Sequence, residues 1–239
     1  MKIGILATGI TPDELLDDFG SYADMLRELL LPEIADVSFE TYDVRDGVFP
    51  VAASDCDAWL ITGSKSSAYE DLPWIHRLKA LIRQIWESQR PMVGICFGHQ
   101  IVAEALGGRV EQSANGWGVG LHRYQMVGPW QQSAGVPAAL TLNAFHRDQV
   151  VVKPEAAEVV ASSEFCPYAV LAYGDRILTI QAHPEFSLAY EYLLIALRKG
   201  QAIPDEDAEQ GLATLRQARD STDSAAVAAW LARFLTRSP

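Results

Sequence analysis

Two short stretches carry residues whose types and spacing could do covalent chemistry. The first is Gly94-Ile95-Cys96-Phe97-Gly98-His99-Gln100, where a cysteine stands between two glycines as an apolar strand-like run (92–95) passes into a helical one (97–106). A nucleophile at such a strand-to-helix turn sits in strained backbone with only its side chain projecting. Glycines two residues to either side let the chain close without Cβ clashes. The start of the following helix adds partial positive charge beside the sulfur, which favours thiolate. Taken alone, G-x-C-x-G equally describes a buried cysteine in an ordinary βα turn.

A thiolate that attacks a carbonyl needs a proton carrier for the leaving group, and that carrier needs an orienting partner. Gln181-Ala182-His183-Pro184-Glu185 follows the apolar run 177–180, so His183 emerges at a strand end. In a parallel sheet this is the edge where ligand sites gather. Glu185, two residues on, is in reach of the far imidazole nitrogen, where a carboxylate fixes the tautomer and stabilises imidazolium. By itself His-Pro-Glu reads as a turn with a capping carboxylate. His99 is read as a buried structural histidine, and His76 and His122 as surface or packing residues. Cys56 and Cys166 lack an elbow or a paired histidine. Trp74, Trp86 and Trp130 read as packing residues, whereas Trp117, in Asn115-Gly116-Trp117-Gly118, lies in a glycine-rich loop that could edge a pocket.

Together, the GICFGHQ stretch and the AHPEF stretch, whose histidine follows Cys96 by 87 residues (183 − 96 = 87), resemble the class I glutamine amidotransferases of the triad type. The similarity covers residues 1 to about 195. It implies a Cys96, His183, Glu185 triad, a glutamyl thioester on Cys96, and a doubly wound, mostly parallel α/β sheet in the flavodoxin-like arrangement. Thr62-Gly63-Ser64 stands where the family places an oxyanion-hole glycine, so the backbone N–H groups of Gly63 and Phe97 would form that hole. Two preformed donors at a developing oxyanion supply a large share of barrier reduction. Gln100 matches the family glutamine at the substrate's glutamyl end. Phe145-His146-Arg147-Asp148 resembles the S-H-x-D stretch near the amino-acid head group, with Phe145 where a small residue often stands, which makes His146, Arg147 and Asp148 candidate substrate contacts. The implied mechanism needs no cofactor and no metal.

The elements around these motifs alternate as a parallel sheet with helices on both faces requires. Strands are expected at 3–7, 37–42, 57–62 and 92–95, and helices at 12–30, 73–89 and 97–106. Beyond 109 the pattern turns to shorter β-rich pieces, with strands at 119–127 and 158–163 and a hairpin of 169–173 with 176–181. Helices at 188–199, 205–218 and 224–236 follow. The partition expected is a domain over 1–195 and a helical C-terminal extension over 196–239, packed on the same domain.

Composition narrows the function classes. The 239 residues are 49% hydrophobic and 21% charged, which excludes a disordered or collagen-like chain. No apolar run approaches the ~18–20 residues of a bilayer span, and a strand-like run opens the chain where a signal peptide would stand, so a soluble cytoplasmic protein is expected. Nineteen basic against 31 acidic residues leave a net charge of −12, which disfavours nucleic-acid binding in general but not a local basic patch. Three cysteines without a C-x-x-C pair point to neither a disulfide framework nor a zinc site.

Three readings compete: a stand-alone hydrolase of a γ-glutamyl amide, a glutaminase subunit that passes ammonia to a separate synthetase, and a non-catalytic, redox-sensing member of the fold. Intact Cys96, His183 and Glu185 weigh against the third. A cysteine α/β-hydrolase would place its acid between nucleophile and histidine, and here the carboxylate follows the histidine. The helical tail, and the absence of an ATP-pyrophosphatase glycine-rich loop, favour a free-standing protein resembling the glutaminase domain of GMP synthetase. Its expected partner is a small γ-glutamyl substrate, its expected state a monomer or small homo-oligomer. Cys96 should then be the one strongly reactive thiol. Brief iodoacetamide treatment near neutral pH followed by mass mapping should find Cys96 labelled first, and preferential labelling of Cys56 or Cys166 would contradict the assignment.

Overall fold

The computed structural model describes residues 1–132, 135–218 and 222–237. The chain runs β1 (Lys2–Ala7), α1 (Asp13–Phe19), α2 (Tyr22–Leu30), β2 (Ser38–Asp43), β3 (Ala58–Ile61), α3 (Pro73–Glu87), β4 (Met92–Ile95), α4 (Phe97–Ala105) and β5 (Arg109–Gln112). It continues through β6 (Gly118–Met126), β7 (Ala139–His146), β8 (Asp148–Val152), β9 (Ala157–Ser162), β10 (Val170–Tyr173), β11 (Ile177–Ile180), α5 (Leu188–Arg198), α6 (Asp205–Gln217) and α7 (Ser224–Leu235).

One sheet of order β2-β1-β3-β4-β11-β10-β9-β6-β7 organises the molecule. Its first five strands are parallel, the doubly wound arrangement anticipated from the sequence. The β10–β11 hairpin then reverses direction, and β9, β6 and β7 continue as an antiparallel wing. The parallel strands β3, β4 and β11 are buried throughout, as expected where helices cover both faces. Alternate residues serve opposite cores. Val93 and Ile95 face α2 and α7, meeting Leu26, Leu30, Trp230 and Phe234, while Met92, Trp59 and Ile61 face Ile75, Leu78 and Ile82 of α3.

The sequence and the structure part at identifiable places. The helix expected over 12–30 is two helices, because Gly20 adopts φ 72° and Ser21 restarts the chain with a reciprocal cap. The Ser21 hydroxyl accepts from the Asp24 N–H, and the Asp24 carboxylate accepts from the Ser21 N–H. Three strands were not anticipated: β5, β7 and β8. In β7 the alternation Leu140, Leu142, Ala144 carried the period-2 signal, while β5 has only Val110 buried and pairs solely with β8. In the C-terminal stretch, α7 joins the core beside α2, and α6 packs on β6 through Val119, Leu212 and Leu215. Residues 219–221 and 238–239 of the expected extension lie outside the described residues.

The C-terminal ends of three adjacent strands, β3, β4 and β11, converge, with Ile61 opposite Gly94 and Ile180 opposite Ile95. The residues that immediately follow them include Gly63, Cys96 and His183. Helix α4 can start directly above this edge only because of two glycines. A Cβ on Gly98 would lie 2.6 Å from the Ile61 carbonyl oxygen, and one on Gly94 would lie 2.6 Å from the Gly98 carbonyl. Gly98→Ala should therefore push α4 away from β3 and cost about 1–3 kcal/mol, the usual range for overpacking. Urea unfolding measures this; an unchanged midpoint would mean that the elbow is not held by close packing.

Candidate active site

Cys96 forms the elbow itself. Its backbone sits at φ 52°, ψ −101°, a conformation that L-residues rarely adopt. Backbone hydrogen bonds from Cys96 N–H to Ile180 O (2.8 Å) and from Gln100 N–H to Cys96 O (3.0 Å) hold it there. The thiol is 5% exposed, with Gln181 Nε2 at 3.7 Å and the Phe145 carbonyl at 3.9 Å from Sγ.

His183 leaves β11 and is fixed from three sides. Its backbone N–H donates to Asn143 O at 2.8 Å, its ring stacks on Phe186 at 3.9 Å and 4°, and Nδ1 meets Glu185 Oε1 at 2.8 Å. Burial opposes charge on the imidazole, but the negative charge of the Glu185 carboxylate and the nearby Cys96 more than offset that. The result is a pKa well above that of a free histidine. The ring is thus an imidazolium wedged between carboxylate and sulfur.

Gly63 completes the centre. A Cβ there would lie 3.0 Å from His183 Cε1, tight enough to press on the imidazole, and in ordinary contact with Cys96 Cβ at 3.8 Å. Its loop is tied to β1: the Thr8 hydroxyl donates to Thr62 O (2.8 Å), and the Thr8 N–H donates to Thr62 Oγ1 (2.9 Å). A planar trans peptide points its N–H opposite its carbonyl, so anchoring Thr62 O toward Thr8 turns the Gly63 N–H away from β1. Phe97 begins α4, and its N–H is among the first-turn donors that have no acceptor within a helix. Its ring packs on Trp74 at 5.6 Å.

Gln100, His146, Arg147 and Asp148 gather beside Cys96 around a cavity of about 330 Å³. Gln100 Nε2 donates to Asp148 O (2.8 Å) and to Gln181 Oε1 (3.2 Å), tying α4 to the start of β8. His146 Nδ1 lies 3.2 Å from the same Asp148 carbonyl, and burial drives its pKa down to about 3, so it is neutral. Arg147 is exposed at the cavity rim. Trp117 also lines the cavity, its ring edge-on to Phe145 at 5.6 Å.

The other histidines and thiols lie elsewhere. His99 is wholly buried, bonds Thr179 Oγ1 at 2.8 Å, and is pushed by burial to a pKa of about 3, which disqualifies it as a base near neutrality. His122 packs on Tyr124 and Phe165. His76 is on the surface but pairs with Asp71 at 2.6 Å, a carboxylate partner that its sequence context did not reveal. Burial raises the pKa of Cys56, and that of Cys166 to about 12. Among the described residues no group of three or more His, Cys, Asp or Glu side chains could hold a metal ion.

Sequence reasoning missed several neighbours of the centre. Gln181 and Phe186 adjoin the His-Pro-Glu motif, and that adjacency was the available signal. Asn143 in β7, Lys65 two residues after Gly63 and Arg198 at the end of α5 carried no signal that would bring them together. The arrangement as a whole can deliver a thiolate to a carbonyl, supply a proton to the departing group from imidazolium, and hold that imidazolium with a buried carboxylate.

Comparison with known proteins identifies the family. The family model described as glutamine amidotransferase class-I matches residues 15–193. A glutamine amidotransferase-like protein of Schizosaccharomyces pombe is 30% identical over 245 residues, covering 98% of each chain. Gamma-glutamyl peptidase 5 of Arabidopsis thaliana is 30% identical over 188 residues, 75% of each chain. The crystal structure of a glutamine amidotransferase from Thermotoga maritima superposes with a TM-score of 0.74 at 22% identity, covering 98% of this chain and 99% of that one. With the family model matched over well more than half of the chain and a 30% identical relative matched over nearly its full length, the chain belongs to the class I glutamine amidotransferase family.

Proposed function

We propose that this chain hydrolyses γ-glutamyl amides unaided, through a glutamyl thioester on Cys96. The observation that carries the reading is the buried His183–Glu185 pair, 2.8 Å long, beside a cysteine held at φ 52°. Cys96 Sγ attacks the γ-carbonyl and a C–S bond forms. The oxyanion is received by the N–H groups of Gly63 and Phe97, which need no reorganisation at that moment. His183 then gives its proton to the amine as the C–N bond breaks. In the second half, water attacks the thioester, its proton passes to His183, and the C–S bond breaks to release glutamate and regenerate the thiolate–imidazolium pair. Gln100 and the His146 to Asp148 stretch hold the glutamyl end in the larger cavity.

A second, smaller cavity of about 100 Å³ supports a leaving group larger than ammonia. It lies on the His183 side of Cys96, and Ile10, Pro12, Tyr22 and Leu194 are among its lining residues. Ammonia gains nothing from apolar walls, whereas an alkyl or peptidyl amine buries carbon against them. This observation, with the similarity to gamma-glutamyl peptidases, favours the stand-alone hydrolase over the ammonia-delivering subunit.

The purified chain alone should release glutamate from at least one γ-glutamyl amide. Activity that appears only when cell extract is added would instead favour the synthetase subunit. Cys96→Ala should fold and lose all turnover, since nothing replaces the nucleophile. Glu185→Gln should retain partial activity, down about 10- to 10⁴-fold, because an orienting carboxylate contributes a separable share of the barrier. It also removes the charge that lifts the His183 pKa. The imidazolium would then deprotonate at lower pH, and the alkaline limb of kcat/KM should move toward neutrality. An unmoved limb in Glu185→Gln would show that this carboxylate does not set the charge on His183.

A further inference from the structure

The smaller cavity has a charge pattern that an ammonia leaving group does not require. Apart from Cys96 and His183 themselves, its charged lining residues among the described ones are Lys65 and Arg198, and none is an aspartate or glutamate. Lys65 is exposed on the loop that follows Gly63, and Arg198 is half-buried at the last residue of α5. Neither side chain makes an ion pair or hydrogen bond among the described residues. In a chain of net charge −12, two unpaired cations converging on one cavity are a local reversal of the surface field. Arg198 and Lys65 also border the larger cavity, so their charge sits where the two spaces meet at Cys96.

The geometry points to a leaving-group subsite for an amine that bears a carboxylate: Ile10, Pro12 and Leu194 take its aliphatic part while Arg198 and Lys65 take its anionic end. This inference rests on the proposed γ-glutamyl hydrolysis. The side of the cavity follows from the chemistry. His183 protonates the departing nitrogen, so the atoms beyond that nitrogen lie on the His183 face, where this cavity opens. Guanidinium and ammonium groups bind carboxylate by charge-assisted hydrogen bonds, the guanidinium bidentately. A neutral amide at the same place would give the two cations no anion on the leaving-group side. The substrate class is therefore the γ-glutamyl derivatives of amino acids or short peptides with a free C-terminus, rather than glutamine or γ-glutamyl amides of neutral amines.

The test compares γ-glutamylglycine with γ-glutamylglycinamide, which share the glutamyl half and the scissile bond and differ only in the terminal charge. The intact chain should prefer the acid in kcat/KM by about tenfold or more. In Arg198→Met the ratio should fall about tenfold toward unity, through KM for the acid more than kcat, and Lys65→Met should lower it in the same direction. Lys65→Met, on an exposed loop, keeps the test alive should Arg198→Met fail to fold. Equal cleavage of acid and amide by the intact chain, or an unchanged ratio in both variants, would overturn the subsite while leaving the hydrolase reading standing. Cleavage of neither compound, nor of glutamine, would overturn the hydrolase reading and the subsite with it.

Discussion

Everything at this site depends on how closely a helix approaches two strands. Helix α4 begins so close to β3 and β4 that a Cβ on Gly98 or Gly94 would fall 2.6 Å from backbone atoms of Ile61 or Gly98, which is why neither has room for a side chain. That approach leaves no room for a relaxed turn, so the residue between strand and helix must reverse direction at φ 52°. The cost of that backbone is met by the packing of α4 between α3, β4 and β11, with Phe97, Ile101 and Val102 fully buried. A cysteine placed there projects from the sheet edge toward the residues that follow β3 and β11. The histidine, its carboxylate and the Gly63 loop are then delivered by neighbouring strands rather than by a long excursion of chain.

Electrostatics complete what packing begins. Within the protein interior two carboxyl groups near His183 take opposite parts. Glu185 contacts the imidazole directly and raises its pKa. Glu191, in the first turn of α5, is wholly buried, accepts the Gly120 N–H at 3.1 Å, and is pushed up to about 8 by desolvation, so it is largely neutral at pH 7. The imidazolium is held by the carboxyl group it touches. Outside the core the overall acidity of the chain gives way at the cavity mouth to Lys65, Arg147 and Arg198. The net charge left room for a local basic patch, and three basic residues line the cavity at Cys96.

The sequence was most informative where chemistry and local geometry demand the same residues. Gly94, Cys96 and Gly98 could be read as an elbow because each glycine answers a steric need that any such turn has. His183 and Glu185 could be paired because a spacing of two after a strand end puts both in reach of each other. The parallel strands declared themselves as short apolar runs. Legibility faded where a role depends on partners remote in the chain. Strand β8 earns its place through pairing with β5 and through Asp148 O, which receives Gln100, and nothing in Asp148 to Val152 announces those contacts. The break at Gly20 was hidden because the apolar stripe of 12–30 continues across it. Arg198 looks, in sequence, like any basic residue in the last turn of a helix, and only the fold turns it toward Cys96.

The central claim is that Cys96 forms a covalent bond to a γ-glutamyl carbon while His183 protonates the amine that leaves. The most direct measurement is intact-protein mass spectrometry of acid-quenched mixtures of enzyme and a γ-glutamyl amide, followed by peptide mapping. The account predicts a glutamyl adduct on the peptide that contains Cys96, formed within a turnover, absent in Cys96→Ala, and released as free glutamate when the quench is delayed. Turnover that proceeds with no adduct at any quench time in the native chain, or an adduct on another residue, would contradict it.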